Sequence, residues 1–398
     1  MFLAAVAVVY AIVMWRLDWL RFPLDRDESH FWPTSLQFSH SLIPDLPTLR
    51  DYGELNTPLP FLIFGQIQRL FGHGLILSRY FNLTLSASLV VLIGCVHGRP
   101  TRTSALSALG LILFPYYLGV ATHVYTDILA AFLATVGIWY HLRRRYAVAA
   151  LCWTLAIASR QYMVAFPLGV AAYELIASAK ESGAWRFAWR ASWLWPLAAA
   201  ATLVAWICFF GGFGPAAEIS SQHISTVAVD RFFVDHALYF LACVGAYYCL
   251  PEAILFGVTS PRSPESPAGW RLCGVLAILL GAAFIAFPPL RNVGYGVEVP
   301  SMGYLDIAAR RMFNDYPLND YSRVLLFFAF ALWAVVRFAT PLNTLPICLL
   351  IANALVMTKA HIAWDKYALP MLCVLWMLRA YGAEPFSDRS TDPGGTTK

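Results

Sequence analysis

Charge is what this sequence has least of. Only 13% of its 398 residues are Asp, Glu, Lys or Arg, against about 25% in a typical soluble domain. With 59% hydrophobic residues and a mean hydropathy of +0.60, a water-soluble fold would leave broad apolar surface in water, which excludes the soluble classes. Basic runs long enough for nucleic acid are missing too. No CxxC pair occurs, and the eight cysteines (Cys95, Cys152, Cys208, Cys243, Cys249, Cys273, Cys348, Cys373) all fall in apolar stretches. They read as small packing residues, neither a disulfide framework nor a metal site. Before Arg16 there is no basic leader, so the first apolar stretch reads as a retained span. Aromatics are plentiful instead. The 14 Trp and 19 Tyr suit a chain with two bilayer interfaces to occupy.

A spanning helix needs about 20 apolar residues. Runs of about that kind lie at 1–19, 75–97, 104–120, 125–141, 146–159, 161–177, 192–211, 234–257, 272–290, 323–339, 342–357 and 366–380. They predict an all-α polytopic membrane protein with about twelve transmembrane helices, eleven to thirteen allowing for the short ones. The segment Pro58 to Gly72 is apolar but carries Gln66, Gln68 and Arg69, which suits a helix lying in the interface. With the N-terminus cytoplasmic, the short inside loops hold Arg99 and Arg102, Arg143 to Arg145, Lys180, Arg186 and Arg190, and Arg262 and Arg271, as the positive-inside rule asks. The outside then collects most acids, among them Asp127, Glu218 and Asp230, and two long loops, Leu20 to about Gly74 and Arg291 to Arg323. The second holds an amphipathic piece around Leu305 to Phe313, so short helices are expected in these extracytoplasmic loops. Long structured loops on one side suggest a place where chemistry is done. Residues 1–380 read as one transmembrane domain and 381–398, polar and rich in Gly and Pro, as a disordered cytoplasmic tail. No internal repeat stands out.

Four constellations interrupt the apolar background. "LDRDESHFWP" places Asp27 and Glu28 just outside the first span. A carboxylate there can act as general base on a sugar hydroxyl, or hold a divalent cation such as Mg2+ or Mn2+, or simply favour the positive end of a helix starting near Ser29. "HVYTDILAAFL" puts Asp127, with Tyr125 and Thr126, at the mouth of another span, where helix capping is the plainer role. In "IASRQYMVAFP" Arg160 and Gln161 break a long apolar run and mark an outer turn. The guanidinium fork there either binds a phosphate or snorkels to the interface. "MTKAHIAWDKYALPM" offers Lys359, His361, Asp365 and Lys366, which suit an anionic headgroup or form an ordinary polar loop. On one topology all four fall at the same membrane face. Transfer from a lipid phosphate needs that combination: a carboxylate to take the acceptor's proton, and cations for the charge that develops on the leaving phosphate.

At these residues the chain resembles the GT-C class of integral-membrane glycosyltransferases. The acid-bearing loop "DRDESHFWPTSLQF", then "YGELNTPLPFLIFGQIQRLFG", then "SRYFNL" are similar in order to the bacterial aminoarabinose and mannosyl transferases. Tyr125-Thr126-Asp127 and Arg160-Gln161 are similar to elements of the α-1,2-glucosyltransferases of dolichol-linked oligosaccharide synthesis, although Tyr162 stands where that family has threonine. Asp365-Lys366-Tyr367 matches part of a late element of that family. The resemblance implies a GT-C-like fold and inverting transfer from a polyprenyl-phosphate sugar to a glycan, lipid or protein acceptor. It implies Asp27 as base or acceptor-binding acid, with Glu28 supporting it. Arg160, Lys359, His361 and Lys366 would hold the donor phosphate, and Arg79, Asp127, Gln161, Asp365 and Tyr367 would line the substrate. Whether a divalent cation takes part varies in this class. The 24 arginines against 4 lysines, with abundant alanine, suggest a GC-rich bacterial genome and so a plasma membrane with an undecaprenyl-type carrier; in a eukaryote the endoplasmic reticulum would be the counterpart. The competing reading is a lipid or glycan transporter or flippase, which would place its ionisable groups at the bilayer midplane. A lipid-linked glycan polymerase or ligase is a second rival.

Overall fold

A computed structural model describes residues 1–25, 27–182, 190–221, 231–257, 267–290, 301–314, 318–339, 344–360 and 362–383. Among the described residues all regular structure is helical. The helices are α1 (Phe2–Ala11), α2 (Glu28–Gln37), α3 (Leu46–Arg50), α4 (Leu59–Phe71), α5 (Gly74–Gly94), α6 (Arg102–Ile112), α7 (Tyr117–Ala121), α8 (Asp127–Leu142), α9 (Tyr146–Ser159) and α10 (Ala165–Ser182). They continue with α11 (Ala191–Phe210), α12 (Ala216–Ser221), α13 (Val234–Val244), α14 (Leu250–Phe256), α15 (Pro267–Ala286), α16 (Tyr304–Phe313), α17 (Asn319–Ala339), α18 (Leu345–Met357) and α19 (Leu369–Tyr381). His361, residues 291–300 and 315–317 of the second long loop, and 384–398 of the tail lie outside the described residues.

Six helical stretches among the described residues are long and apolar enough to cross a bilayer: Gly74–Gly94, Gln161–Lys180, Ala191–Phe210, Val234–Phe256, Gly269–Ala286 and Asn319–Ala339. The chain is therefore a polytopic membrane protein by length and composition. Four shorter apolar helices accompany them: Phe2–Arg16, Asp127–Leu142, Tyr146–Ser159 and Leu345–Met357. Helices are present at Pro58 to Gly72 and near Leu305 to Phe313, as α4 and α16. The run expected as one span at 104–120 is instead two helices, α6 and α7. Pro115 lies between them, and its missing N–H and its ring's clash with the preceding turn disfavour an unbroken helix there.

Some apolar helices are short because protein, not lipid, surrounds them. α19 has 13 residues, a rise of only about 20 Å against a hydrocarbon core of about 30 Å. Every residue from Leu369 to Ala380 is buried, and the helix packs on α5, α6, α8 and α18. An apolar helix enclosed on all sides has no bilayer thickness to match.

α5, α8 and α10 run from one end of the bundle to the other, leaving Arg99, Arg143 to Arg145 and Lys180 at the far end. That far end has its own buried charges. Arg337 donates to Glu252 at 2.7 and 2.8 Å, and Arg379, near the last turn of α19, lies 3.3 Å from the same carboxylate. The near end, where α19 begins, carries the site described below.

Helices α13 and α14 are joined by a π turn, Gly245–Cys249, that packs directly on α17. A Cβ at Gly245 would be driven into the Phe330 carbonyl and would stand 2.9 Å from the Phe330 Cα. Those are backbone atoms that cannot swing away. Gly245→Ala should therefore cost about 1–3 kcal/mol of overpacking, read as a lower thermal midpoint in detergent, while alanine at open-space Gly119 should leave the midpoint unchanged.

Candidate functional site

Local chain geometry frees the charged groups. Asp27 holds the N-cap position of α2, and its carbonyl accepts from the His30 and Phe31 amides, but its carboxyl caps nothing. Thr126 and Asp127 open α8, again without a side-chain cap. Arg160 ends α9 in extended backbone (φ −152°, ψ 126°) before a 3-10 turn, Gln161–Val164. The break in the helix lets its side chain leave the α9 axis and cross to α8. Lys366 stands in a second 3-10 turn, Asp365–Ala368, at the mouth of α19.

These four segments converge. The Lys366 ammonium donates to Asp27 Oδ2 and is ringed by Tyr125, Trp364 and Tyr367, at 5.2, 5.6 and 5.9 Å from their ring centres. Arg160 is 4% exposed. It donates through Nε to the Thr126 hydroxyl at 2.7 Å and through Nη2 to Asp127 Oδ2 at 2.9 Å. Asp127 is fully buried, and its Oδ1 has no hydrogen-bond partner among the described residues. The Tyr162 and Tyr367 rings lie 5.7 and 5.9 Å from the Arg160 guanidinium. Asp27, Asp127, Gln161 and Tyr367 thus join Arg160 and Lys366 at one end of the bundle, although they come from sequence positions far apart.

Asp27 is the accessible member, with its side chain 39% exposed. Burial pushes its carboxyl up, but Lys366 beside it, helped by Arg160 and His30, more than offsets this and holds it below the usual carboxylate range. Glu54 lies against the same charges and behaves oppositely. It is 6% exposed. Burial, with the nearby negative charges of Glu218 and Asp27, outweighs Arg160 and Lys366 and pushes its carboxyl up to about 8. Two carboxyls of one site are thereby driven apart, the pattern that separates acid from base roles.

Other expected site residues have other partners. Glu28 is fully buried and does not face the cluster. It accepts from Arg79 through both oxygens, with Nε to Oε1 at 2.8 Å, and from the Val124 amide at 2.6 Å. Arg79 also donates to the Leu20 and Phe22 carbonyls at 2.8 and 2.7 Å. The pair staples the start of α2 and the residues before it to α5 and to the segment before α8. Asp365 is sealed beneath Lys366, accepting from Tyr239 at 2.5 Å, Tyr247 at 2.6 Å and the Leu305 amide at 2.9 Å. Gly303, at φ +123°, lets the chain pass over that carboxyl, since a Cβ there would lie 2.5 Å from its carbon. Asp365 fixes the turn that presents Lys366. Gln161 points to the first loop, donating to the Leu55 and Phe213 carbonyls at 2.5 and 3.1 Å. Lys359 is exposed, with its ammonium 4.2 Å from the Phe232 ring centre and 3.4 Å from the Arg231 carbonyl.

Sequence reasoning missed Glu54 and Asn82. Asn82 clamps the His123 and Tyr125 carbonyls at 2.8 Å each. Glu54 had one signal, a lone carboxylate between Tyr52 and the prolines of "YGELNTPLP". Among the described residues no group of three or more His, Cys, Asp or Glu is placed to hold a metal ion. Lys366 and Arg160 already occupy oxygens of Asp27 and Asp127, so this donor set suits an anion better than a divalent cation.

No family model matches the chain, and no curated protein matches it. Among solved structures, the crystal structure of ArnT from Cupriavidus metallidurans bound to undecaprenyl phosphate is similar over 96% of this chain and 77% of that one, with a TM-score of 0.45 and 15% identity. At that distance the likeness assigns neither a family nor an activity to this chain.

The Glu28–Arg79 pair gives a direct test of the brace. Removing one partner of a buried ion pair typically costs about 3–5 kcal/mol, whereas replacing both with apolar groups of similar size costs far less. Arg79→Met should unfold at a clearly lower temperature than the parent, and Glu28→Leu/Arg79→Met should recover much of that loss in thermal unfolding.

Proposed function

We propose that the chain is a glycosyltransferase of the GT-C type, moving a sugar from a polyprenyl-phosphate donor to an acceptor hydroxyl at the extracytoplasmic membrane face. The observation that carries this reading is the pairing of Asp27 with Lys366 beside the buried Arg160. The half-exposed carboxylate is the proton acceptor, and the two cations form the phosphate seat. The tyrosine and tryptophan rings around Lys366 wall that seat, and apolar helices are available for the lipid tail.

The chemistry balances without a further reactant. The acceptor oxygen attacks the anomeric carbon and its proton passes to the Asp27 carboxylate. The bond from the anomeric carbon to the phosphate oxygen breaks, and its electron pair leaves on the phosphate. One displacement from the far side inverts the anomeric centre. Arg160 and Lys366 favour the step because the leaving phosphate gains charge between them. In the absence of donor, Lys366 neutralises Asp27 and keeps it a weak base. A phosphate that draws the ammonium away restores the carboxylate's basicity when the acceptor needs it. Donor binding and base activation are then one event.

In vesicles supplied with a polyprenyl-phosphate sugar, Asp27→Asn should fold normally and lose about 10²–10⁴-fold in transfer rate, the usual worth of a positioned proton acceptor. Full activity in Asp27→Asn removes it as the base. Arg160→Lys keeps a charge for Asp127 but loses the fork, so the donor KM should rise; an unchanged KM moves the phosphate seat elsewhere. Lipid crossing the bilayer with its sugar intact would mark a transporter instead.

A further inference from the structure

Glu54 has no part in the chemistry above, yet it is built into the site with care. Its backbone segment is pinned on every side. Thr57 donates to the Ile157 carbonyl at 2.6 Å, Gln161 to Leu55 at 2.5 Å, and Tyr52 to Asn56 at 2.6 Å. Tyr52 is itself packed edge-on to Phe38 and Phe210, at 5.4 and 6.1 Å between ring centres. A carboxyl held this firmly and only 6% exposed cannot turn away to water. The Gln161–Leu55 bond sets this segment beside Arg160, and the ionisable groups that act on Glu54 are Glu218 on α12, Tyr52 on its own segment, Asp27 at α2, Arg160 after α9 and Lys366 before α19. Among the described residues its carboxyl accepts no hydrogen bond, so only the charges of Arg160 and Lys366 favour the ionised form.

We infer that Glu54 meets the donor as an uncharged acid, giving its O–H to an anionic phosphate oxygen, so that donor binding weakens as this residue ionises. The inference rests on the proposed function, since it takes the phosphate to sit between Arg160 and Lys366. Desolvation and two facing carboxylates keep Glu54 neutral near pH 7, and an arriving phosphate adds a third negative charge that reinforces this. Once ionised, Glu54 sets a fixed negative charge against the phosphate in a water-poor site. Asp27 and Asp127 already balance the two cations, so an ionised Glu54 tips the group to a net negative charge that opposes the donor. Asp27 differs because it is exposed and neutralised by Lys366.

Affinity is therefore full below the Glu54 pKa of about 8 and falls as pH rises through it. Only the protonated fraction binds, about nine-tenths at pH 7 and one-tenth at pH 9, so the dissociation constant should weaken about ten-fold across that interval. The probe is a polyprenyl methyl phosphodiester, whose single charge is constant over this range, titrated into the full-length protein in nanodiscs of uncharged lipid. Glu54→Gln keeps a donor N–H and cannot ionise, so it should bind at pH 7 within a few-fold of the parent and show no weakening at pH 9. A flat profile in the parent, or an undiminished ten-fold loss in Glu54→Gln, overturns the inference. Lys366→Gln separates the two levels: if it binds the probe as well as the parent at pH 7, the phosphate seat itself is wrong. Proton uptake by the unaltered protein is an independent readout. At pH 8.5 the parent should take up most of one proton on binding the probe, measured by calorimetry in two buffers of different ionisation enthalpy, and uptake near zero overturns the proposal.

Discussion

A charge inside a helical membrane bundle must bring its own counter-ion, and this structure is organised around that constraint. Arg79 is closed by Glu28, Arg160 by Asp127, and Arg337 with Arg379 by Glu252. Each pair joins elements distant in sequence, so each fixes a geometry as well as a charge balance. The desolvation cost of burying such groups is large, and attraction offsets it only where geometry and extra hydrogen bonds are good. Arg79 illustrates this with its two carbonyl acceptors, and Arg160 with the Thr126 hydroxyl. The Lys366–Asp27 pair departs from the rule because Asp27 is 39% exposed. Its carboxylate is the one open to solvent.

The pairs fall into two kinds with different work. Glu28–Arg79 and the Asp365 cluster are sealed and hold the scaffold: one staples the first loop, the other fixes the turn before α19. Asp27–Lys366 and the Arg160–Asp127 pair lie at one end of the bundle, with the Tyr367 ring 5.9 Å from both cations. This division explains how neighbours in sequence take unlike roles. Asp27 and Glu28 are adjacent, yet α2 turns one toward Lys366 and the other toward α5. Asp365 and Lys366 are split in the same way by their 3-10 turn. A short turn of helix rotates successive side chains far enough apart for one to support and the next to be presented.

The opposite behaviour of Asp27 and Glu54 comes from surroundings rather than residue type. A lysine ammonium in direct contact holds the first down, while burial and two other carboxylates lift the second. The hydrogen bonds of residues 51–58 hold Glu54 in its buried position.

Composition and hydropathy alone determined that the chain is helical and membrane-embedded, because a backbone in hydrocarbon has to satisfy its own hydrogen bonds and few residues here seek water. Periodic apolar runs located most helices, and the charged interruptions at Asp27, Asp127, Arg160 and Lys366 were visible as misfits in an apolar background. Only the tertiary structure decided which misfits meet. Ion pairing depends on where helices cross and on which way each terminal turn points, and no local pattern encodes either. That is why Glu28 and Asp365 pair away from their sequence neighbours Asp27 and Lys366, why Lys359 lies against Phe232, and why Glu54, unremarkable in its Gly- and Pro-rich stretch, stands near Arg160 and Lys366.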